Sequence, residues 1–162
     1  MLTGGFMVAD DGIVREVLAL VPQQEPFRFI DEIISLNEEE IIGAYRFRAD
    51  AFFYRGHFPG RPITPGVILI ETMAQIGVVA FGMYLLACQK NVRPSQMQGP
   101  LSLFSLADNV EFKGIVVPGE RVIVKGKKIY FRKGAIKVDL TMERENSEVV
   151  CQGKLAGMGV GK

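Results

Sequence analysis

A long apolar segment near the middle of the chain constrains the fold more than any other feature. Thr64 and Pro65 form a helix-start signal, because threonine can cap a helix and proline loses nothing in the first turn. The pattern predicts a helix over residues 65–89. Its most apolar part, residues 76–88, is shorter than the ~20 residues that a membrane span needs. A helix this apolar needs cover on most sides, so we predict that it is buried inside a soluble protein.

The last third of the chain has the pattern of strands joined by tight turns. Residues 136–142 alternate between apolar and polar side chains, which predicts a strand with one buried face. Residues 121–131 are rich in β-forming residues, and residues 132–134 predict a hairpin turn between these two strands. Further turns are expected at residues 118–119 and 146–147.

The rest of the chain is predicted to contain a short helix, two β-rich runs and three irregular stretches. The helix covers residues 12–21, the β-rich runs cover residues 27–36 and 40–48, and the irregular stretches cover residues 49–63, 90–101 and a frayed tail at 157–162. Short strands joined by tight turns imply a mainly antiparallel sheet. The sequence therefore predicts a single α+β domain, residues 1–162. A sheet curved around the long helix would provide the cover that the helix needs, although periodicity alone establishes only the α+β class.

Size, charge and cysteine usage exclude several classes of protein. The 162 residues carry 19 basic and 18 acidic side chains, a net charge of +1, whereas nucleic-acid binding usually shows a strong basic excess. Cys88 and Cys151 lack metal-ligand spacing, which predicts buried free thiols in a reducing compartment and no metal site. The first residues lack the features of a signal peptide. We therefore expect a cytoplasmic protein without a nucleic-acid or membrane partner.

The chain contains one histidine, His57, directly before the predicted helix. Histidine has an unperturbed pKa near neutrality, so it exchanges a proton at low cost. One carboxylate, Glu71, lies in the apolar helix, where burial is expected to raise its pKa and make it a general acid. Gln75 follows one turn later on the same face and is placed to orient Glu71. A lone histidine is often structural, but this pairing favours acid–base chemistry on an apolar substrate.

The start of the predicted helix offers a site for negative charge. Pro65 supplies no N–H, so Gly66 is an early donor, and glycine lets a ligand approach the backbone closely. Such an N–H stabilises a carbonyl oxygen that gains negative charge, although a pure packing role for Gly66 is the alternative. A base, this N–H and an acid are the three groups that eliminate water from a 3-hydroxyacyl thioester, without a metal or redox cofactor.

Residues 57–67, which read HFPGRPITPGV, and residues 71–75, which read ETMAQ, strongly resemble the signature of the (3R)-hydroxyacyl-acyl carrier protein dehydratases of bacterial fatty-acid synthesis. The resemblance includes residues 26–31 and 112–120, and it spans most of residues 14–156. It implies the hotdog fold, a long central helix wrapped by an antiparallel sheet. Relatives that also isomerise the double bond typically have Asp where this chain has Glu71, so the resemblance implies simple dehydration.

The resemblance also implies a role for each residue of the site. His57 is the catalytic base, the N–H of Gly66 binds the thioester carbonyl, and Glu71 comes from the partner subunit to act on the hydroxyl. The carbonyl of Ile63 holds the histidine ring, and a tunnel beside the helix takes the acyl chain. The residues expected to bind or orient the substrate are Phe58, Ile63, Pro65, Val67 and Gln75. The implied partners are an acyl carrier protein and a second copy of the chain, in a dimer or a trimer of dimers.

Two other functions are weighed against this one. A thioesterase on the same fold usually lacks the His-Phe-Pro-Gly motif, and a non-catalytic acyl-binding module is expected to lack His57 or Glu71, which are both present. The basic-rich residues 121–133 are either a solvated strand face or a landing site for an acidic carrier protein. The chain departs from the family pattern at residues 109–111, which lack a basic side chain, and at residues 88–105, which form a longer segment than usual.

Overall fold

The computed structural model describes residues 7–99 and 101–160 of the chain. These residues form helices and one β-sheet. Helix α1 spans Asp11–Leu20, close to the prediction, and its N-cap Asp10 accepts a hydrogen bond from the N–H of Ile13 at 2.9 Å. Helix α2 spans Gly66–Lys90, against a predicted 65–89. Its middle part, Gln75–Ala80, is π-helical, a feature that the sequence pattern did not predict.

Helix α2 is long and apolar enough to cross a membrane, judged by length and mean hydropathy alone. The prediction that its apolar stretch is too short for a span was wrong on length, because residues 66–75 extend that stretch with Glu71 as their only charge. Of its most apolar 18-residue window, 72% is buried inside the fold. This burial identifies α2 as the core helix that the sequence predicted.

The expectation that Thr64 caps α2 is wrong. Pro65 is the N-cap and no side chain caps the helix, while the hydroxyl of Thr64 hydrogen-bonds the hydroxyl of Tyr54 at 2.7 Å. The carbonyl of Pro65 accepts from the N–H groups of Ile68 and Leu69. The side chain of Thr64 is therefore turned to the preceding loop instead of the helix it was expected to cap.

The described residues form one six-stranded sheet in which every neighbouring pair is antiparallel. The strands are β1 (Glu32–Leu36), β2 (Glu40–Arg46), β3 (Leu101–Phe112), β4 (Arg121–Arg132), β5 (Ala135–Arg144) and β6 (Val149–Val160). Their order across the sheet is β1-β2-β4-β5-β6-β3, so β1 and β3 are the edges. The predicted hairpin joins β4 to β5. Lys133 and Gly134 have φ of 51° and 75°, as a two-residue hairpin loop requires.

Two predictions about strand ends are wrong, and both have a physical reason. Residues 27–31 lie outside β1, because the N–H of Phe29 pairs with the side chain of Gln75 and the regular pairing with β2 starts only near Asp31, whose N–H donates to the carbonyl of Ala44. Residues 157–160 are not frayed, because β6 lies between β5 and β3 and pairs with both of them.

The long segment expected at residues 88–105 is also corrected. Helix α2 continues to Lys90, and β3 already begins at Leu101, so the connection is shorter than predicted. The predictions for residues 1–6, Pro100 and residues 161–162 lie outside the described part of the chain.

The core lies between α2 and the inner face of the sheet. Fully buried or nearly fully buried side chains from both layers meet there, among them Met73, Ile76, Phe81, Val122, Val138 and Leu140. Gly77 permits the close approach, since a Cβ at this position would lie 2.3 Å from Cδ2 of Leu140. The predicted α+β arrangement of one long helix against an antiparallel sheet is therefore confirmed.

Candidate active site

His57 lies in a loop that backbone hydrogen bonds hold in place. A short 3-10 turn leads into the loop, and the N–H of His57 donates to the carbonyl of Phe53 at 3.0 Å. The N–H of Phe58 then donates to the carbonyl of Arg61 at 3.0 Å, and the N–H of Arg61 donates back at 2.9 Å. Gly60 lies in this turn with φ of 74°, which glycine adopts without strain.

The imidazole of His57 is fixed by the backbone of Ile63. Its Nδ1 lies 2.9 Å from the carbonyl oxygen of Ile63, and the N–H of Ile63 donates to the carbonyl of His57, also at 2.9 Å. A carbonyl oxygen only accepts, so Nδ1 carries the proton and donates. In the neutral ring the lone pair is then on Nε2, which leaves this atom able to take a proton.

Phe58 covers one face of the histidine ring. The two ring centroids are 4.2 Å apart and the planes meet at 23°, which is a stacked arrangement. About half of Phe58 stays exposed, so an apolar ligand beside His57 has a surface to pack against. The stacking and the bond to Ile63 together restrict rotation of the imidazole.

Gly66 is the first residue of α2, one residue after the predicted start at Pro65. Among the backbone hydrogen bonds of the described residues, none uses the N–H of Gly66 or Val67, and the helix dipole favours negative charge at this point. Val67 is 72% exposed beside it. Packing alone also requires glycine here, because a Cβ on Gly66 would lie 2.9 Å from the ring of Phe112. The hydrogen-bonding role of Gly66 therefore stays a prediction.

Glu71 is half-buried on α2 and is held by Gln75. Nε2 of Gln75 donates to Oε1 of Glu71 at 2.9 Å, four residues away along the helix. Burial raises the pKa of the Glu71 carboxyl, as predicted from its apolar setting, while the hydrogen bond from Gln75 opposes this shift. A carboxyl group with a raised pKa retains its proton at higher pH and can serve as an acid.

The site residues form two separate groups within the chain. One group contains His57, Phe58, Ile63 and Gly66, and the other contains Glu71 with Gln75. No hydrogen bond in the described residues joins the two groups. Along α2, Glu71 lies five residues beyond Gly66, or ~7.5 Å at 1.5 Å per residue.

A cavity of about 220 Å³ lies further along α2. Apolar side chains dominate its lining, including Val78, Val79, Met83, Phe131 and Ile136. Gly82 also lines it, and a Cβ built there meets only Ile136, at 3.8 Å and 4.0 Å. The cavity begins about seven residues beyond Glu71, or ~10 Å along the helix.

The FabA-like domain family matches residues 21–154 of this chain. The chain belongs to the FabA-like family. Several relatives named 3-hydroxyacyl-[acyl-carrier-protein] dehydratase FabZ are similar over most of their length. The relative from Syntrophobacter fumaroxidans is 33% identical and the match covers 92% of this chain and 95% of the relative. The relative from Caldicellulosiruptor bescii is 31% identical, with 88% and 94% covered. Within the FabA-like family, the chain is a FabZ-like dehydratase.

Solved structures support the fold of this FabA-like chain. The dehydratase heterocomplex ApeI:P from Xenorhabdus doucetiae has a TM-score of 0.74 at 13% identity, with 90% of this chain and 91% of that chain covered. A hypothetical thioesterase from Streptococcus pneumoniae, solved with coenzyme A, has a TM-score of 0.54 at 11% identity, with 81% and 86% covered. At these identities the likeness concerns the fold alone, and the predicted α+β hotdog fold is confirmed.

Three of the six basic side chains in residues 121–133 of this FabZ-like chain form ion pairs with neighbouring carboxylates. Lys125 pairs with Glu143 at 3.0 Å and Lys128 with Glu39 at 3.2 Å. Arg121 pairs with two carboxylates, Glu32 and Glu145. These pairs favour the solvated strand face over a landing site for an acidic partner.

Two exposed arginines lie on either side of His57 in the chain. Arg55 ends the 3-10 turn before it, and Arg61 closes the turn after it. Neither forms an ion pair within the described residues. The sequence interpretation did not single out this pair, although its position beside the only histidine was visible there.

The two cysteines are free, as predicted, but only Cys151 is fully buried, and Cys88 is half-buried. Burial raises the pKa of the Cys151 thiol to about 11, so it is unreactive at neutral pH. In the part of the chain that the structure describes, no group of three or more His, Cys, Asp or Glu side chains is arranged to hold a metal ion.

Proposed function

We propose that this protein dehydrates (3R)-3-hydroxyacyl thioesters of an acyl carrier protein to trans-2-enoyl thioesters, in fatty-acid elongation. The observation that carries the proposal is the state of His57, whose Nδ1 is committed to the Ile63 carbonyl so that Nε2 is left as a base. The half-buried Glu71, with its raised pKa, supplies the acid. The similarity to relatives named as dehydratases supports the same reaction.

The three groups divide the reaction between them. Nε2 of His57 takes the proton from the α-carbon, and the electron pair of that C–H bond forms the α–β double bond. The N–H of Gly66 stabilises the negative charge that develops on the thioester oxygen. Glu71 donates its proton to the hydroxyl on the β-carbon, the C–O bond breaks and water leaves. A proton then returns from His57 to Glu71 through solvent, and no cofactor takes part.

The active site is proposed to form between two copies of the chain. Glu71 shares no hydrogen bond with the His57 group of its own chain, and we propose that a second chain brings the acid to the base. Edge strand β3 supports this, because it pairs on one side only, with β6, and none of its twelve residues is buried. Its exposed apolar side chains include Leu101, Leu103, Phe104 and Leu106. A dimer through this edge would cover them.

The carrier protein is proposed to dock beside His57. Carrier proteins of this pathway are acidic and present the acyl group on a phosphorylated arm, and Arg55 and Arg61 are the unpaired cations that flank His57 in sequence. The acyl chain is proposed to run along α2 into the apolar cavity at Val78 and Gly82. The protein is proposed to act in the cytoplasm.

The proposed reaction is tested by the absorbance of the enoyl thioester, with a carrier-linked 3-hydroxyacyl substrate. We expect turnover by the wild type and loss of at least ~100-fold in His57→Ala and Glu71→Gln. Because each variant keeps one intact group, mixing the two inactive variants under subunit exchange should restore activity if the site is shared. Release of free thiol would instead indicate a thioesterase. Tight retention of the acyl ligand without turnover would indicate a binding module.

A further inference from the structure

The peptide group that joins Ile63 to Thr64 is held at both ends. Its carbonyl oxygen accepts from Nδ1 of His57 at 2.9 Å, and its N–H donates to the carbonyl of Val116 at 2.9 Å. A peptide group is planar, so fixing the direction of the N–H also fixes the direction of the carbonyl. The orientation of the His57 ring therefore depends on how firmly this single peptide group is anchored.

The anchor at Val116 is itself rigid. Arg144 of β5 donates to the carbonyl of Ile115 at 2.6 Å and pairs with Glu120, whose other oxygen accepts from the N–H of Val117 at 3.0 Å. Val116 is fully buried between these contacts. One side of the peptide group is thus fixed to the sheet through the loop before β4.

A second anchor comes from the side chain of Thr64. Its hydroxyl and that of Tyr54 lie 2.7 Å apart, and the two residues are 3% and 5% exposed. Tyr54 belongs to the 3-10 turn Phe52–Arg55, whose Phe53 carbonyl accepts from the N–H of His57. The hydroxyl pair therefore closes a loop of the chain that contains His57, from three residues before it to seven residues after it.

We propose that Tyr54 and Thr64 are positioning residues for His57. The hydroxyl pair holds the Ile63–Thr64 peptide group so that its carbonyl keeps the proton on Nδ1 and leaves Nε2 as the base. The inference rests on the proposed role of His57, but the tautomer of the imidazole that it predicts can be measured without a substrate. Without the pair, the carbonyl of Ile63 gains freedom and the imidazole distributes its proton over both nitrogens.

The single histidine makes the test direct, because the chain gives one set of imidazole signals. In ¹⁵N-labelled protein, we expect the wild type to show the Nδ1–H tautomer, and Tyr54→Phe and Thr64→Val to show a mixture of both tautomers. With the 3-hydroxyacyl substrate, kcat should fall about 3- to 10-fold in each variant while KM changes less than about twofold, as expected for one lost hydrogen bond. Thr64→Ser keeps the hydroxyl and should restore both readouts.

Tyr84→Phe is the matched control, since Tyr84 is a buried tyrosine on α2 outside this loop. It should leave the tautomer and kcat unchanged. An unchanged tautomer in folded Tyr54→Phe and Thr64→Val, even with lower thermal stability, would overturn the proposal and leave the pair a structural one. If one variant fails to fold, the other carries the same test. A wild type that shows the Nδ1–H tautomer but no dehydration would refute the proposed function and not this inference.

Discussion

Gln75 binds Glu71 and the segment before β1 with the same buried amide. Its Nε2 donates to Oε1 of Glu71 at 2.9 Å and to the carbonyl of Phe27 at 3.0 Å, and its Oε1 accepts from the N–H of Phe29 at 2.6 Å. The backbone partners fix the orientation of the amide, so its N–H must face Glu71. The carboxyl is therefore held by a side chain that is anchored about fifty residues away in sequence.

Replacing Gln75 with Leu should change both stability and the pH profile. It leaves the Phe29 N–H and the Phe27 carbonyl unpaired, so the free energy of unfolding should fall by about 2–4 kcal/mol. The pKa of Glu71 should rise further, because the donor that lowers it is gone. If Glu71 acts as the protonated acid, as proposed, the loss of kcat at high pH should move to higher pH.

Thr72→Val is the control for Gln75→Leu. Thr72 is also fully buried on α2, and its hydroxyl donates to the carbonyl of Ile68 and not to Glu71. Thr72→Val should lower the stability of the protein, and it should leave the pH at which kcat is lost on the alkaline side unchanged. If Gln75→Leu does not shift the pH at which kcat is lost on the alkaline side, the role given to Glu71 is contradicted.

Glu71→Gln should stabilise the protein, and more so as the pH rises. Burial raises the pKa of Glu71 above its ordinary value in the folded chain, so as the pH rises the unfolded chain ionises first and unfolding is favoured. Glutamine removes this penalty and can still accept from Gln75 through its carbonyl. The gain in Tm over the wild type should be near zero at about pH 4 and larger at about pH 8. A gain that is constant with pH would show that Glu71 does not titrate as inferred.

Comparing Gly66→Pro with Gly66→Ala should separate the contribution of the Gly66 N–H to catalysis from the contribution of its packing. Proline suits the first position of a helix, so the substitution removes the N–H and leaves α2 able to form. Gly66→Ala adds the same Cβ against Phe112 and keeps the N–H. If the N–H stabilises the thioester oxygen, kcat of Gly66→Pro should lie about 100-fold or more below that of Gly66→Ala. Equal losses in the two variants would assign Gly66 to packing alone.

Arg55→Glu/Arg61→Glu should weaken the reaction only with the carrier-linked substrate. Two charge reversals beside His57 repel an acidic partner, so KM should rise about tenfold or more, and the effect should shrink at high salt. The same acyl group on pantetheine should show little change. Lys125→Glu/Lys128→Glu makes the same charge change on the ion-paired strand face and should leave KM for the carrier-linked substrate within about twofold.

Gly82→Leu should shorten the acyl chains that the enzyme accepts. The space beside Gly82 is open, with Ile136 as the neighbour at 3.8 Å, so a larger side chain fits into the cavity. We expect kcat/KM to fall at least ~10-fold for long-chain substrates and to stay nearly constant for four-carbon ones, because the lost volume is remote from Glu71. A uniform loss over all chain lengths would place the acyl chain elsewhere.

The parts of the fold that the sequence predicts are those set by local patterns. The apolar run gives α2 to within one residue at each end, and the two-residue loop at Lys133 and Gly134 gives the β4–β5 hairpin. Strand β3 was partly missed because it has no buried face and so no clean alternation. The π-helical segment Gln75–Ala80 has no distinguishing pattern, since i→i+5 pairing leaves no simple periodicity.

The candidate site also has a part that the sequence predicts and a part that it does not. His57, Gly66, Glu71 and Gln75 stand out because a rare residue type or a lone charge is visible in the chain. The contacts that orient these residues could not be predicted from the sequence. The link from Gln75 to Phe29 spans 46 residues, and the Tyr54–Thr64 bond replaced the capping role that a threonine before proline normally suggests.

Because strand β3 has no buried residue, the monomer of this protein is expected to be prone to aggregation. A twelve-residue edge with apolar side chains is a template for any extended segment, including another unfolded copy. If copies pair through this edge, as proposed, the dimer covers β3 as well as completing the site, and by mass action the melting temperature should climb with protein concentration. In that dimer, dilution below the dissociation constant would separate the two halves of the site and expose the aggregation-prone edge at the same time.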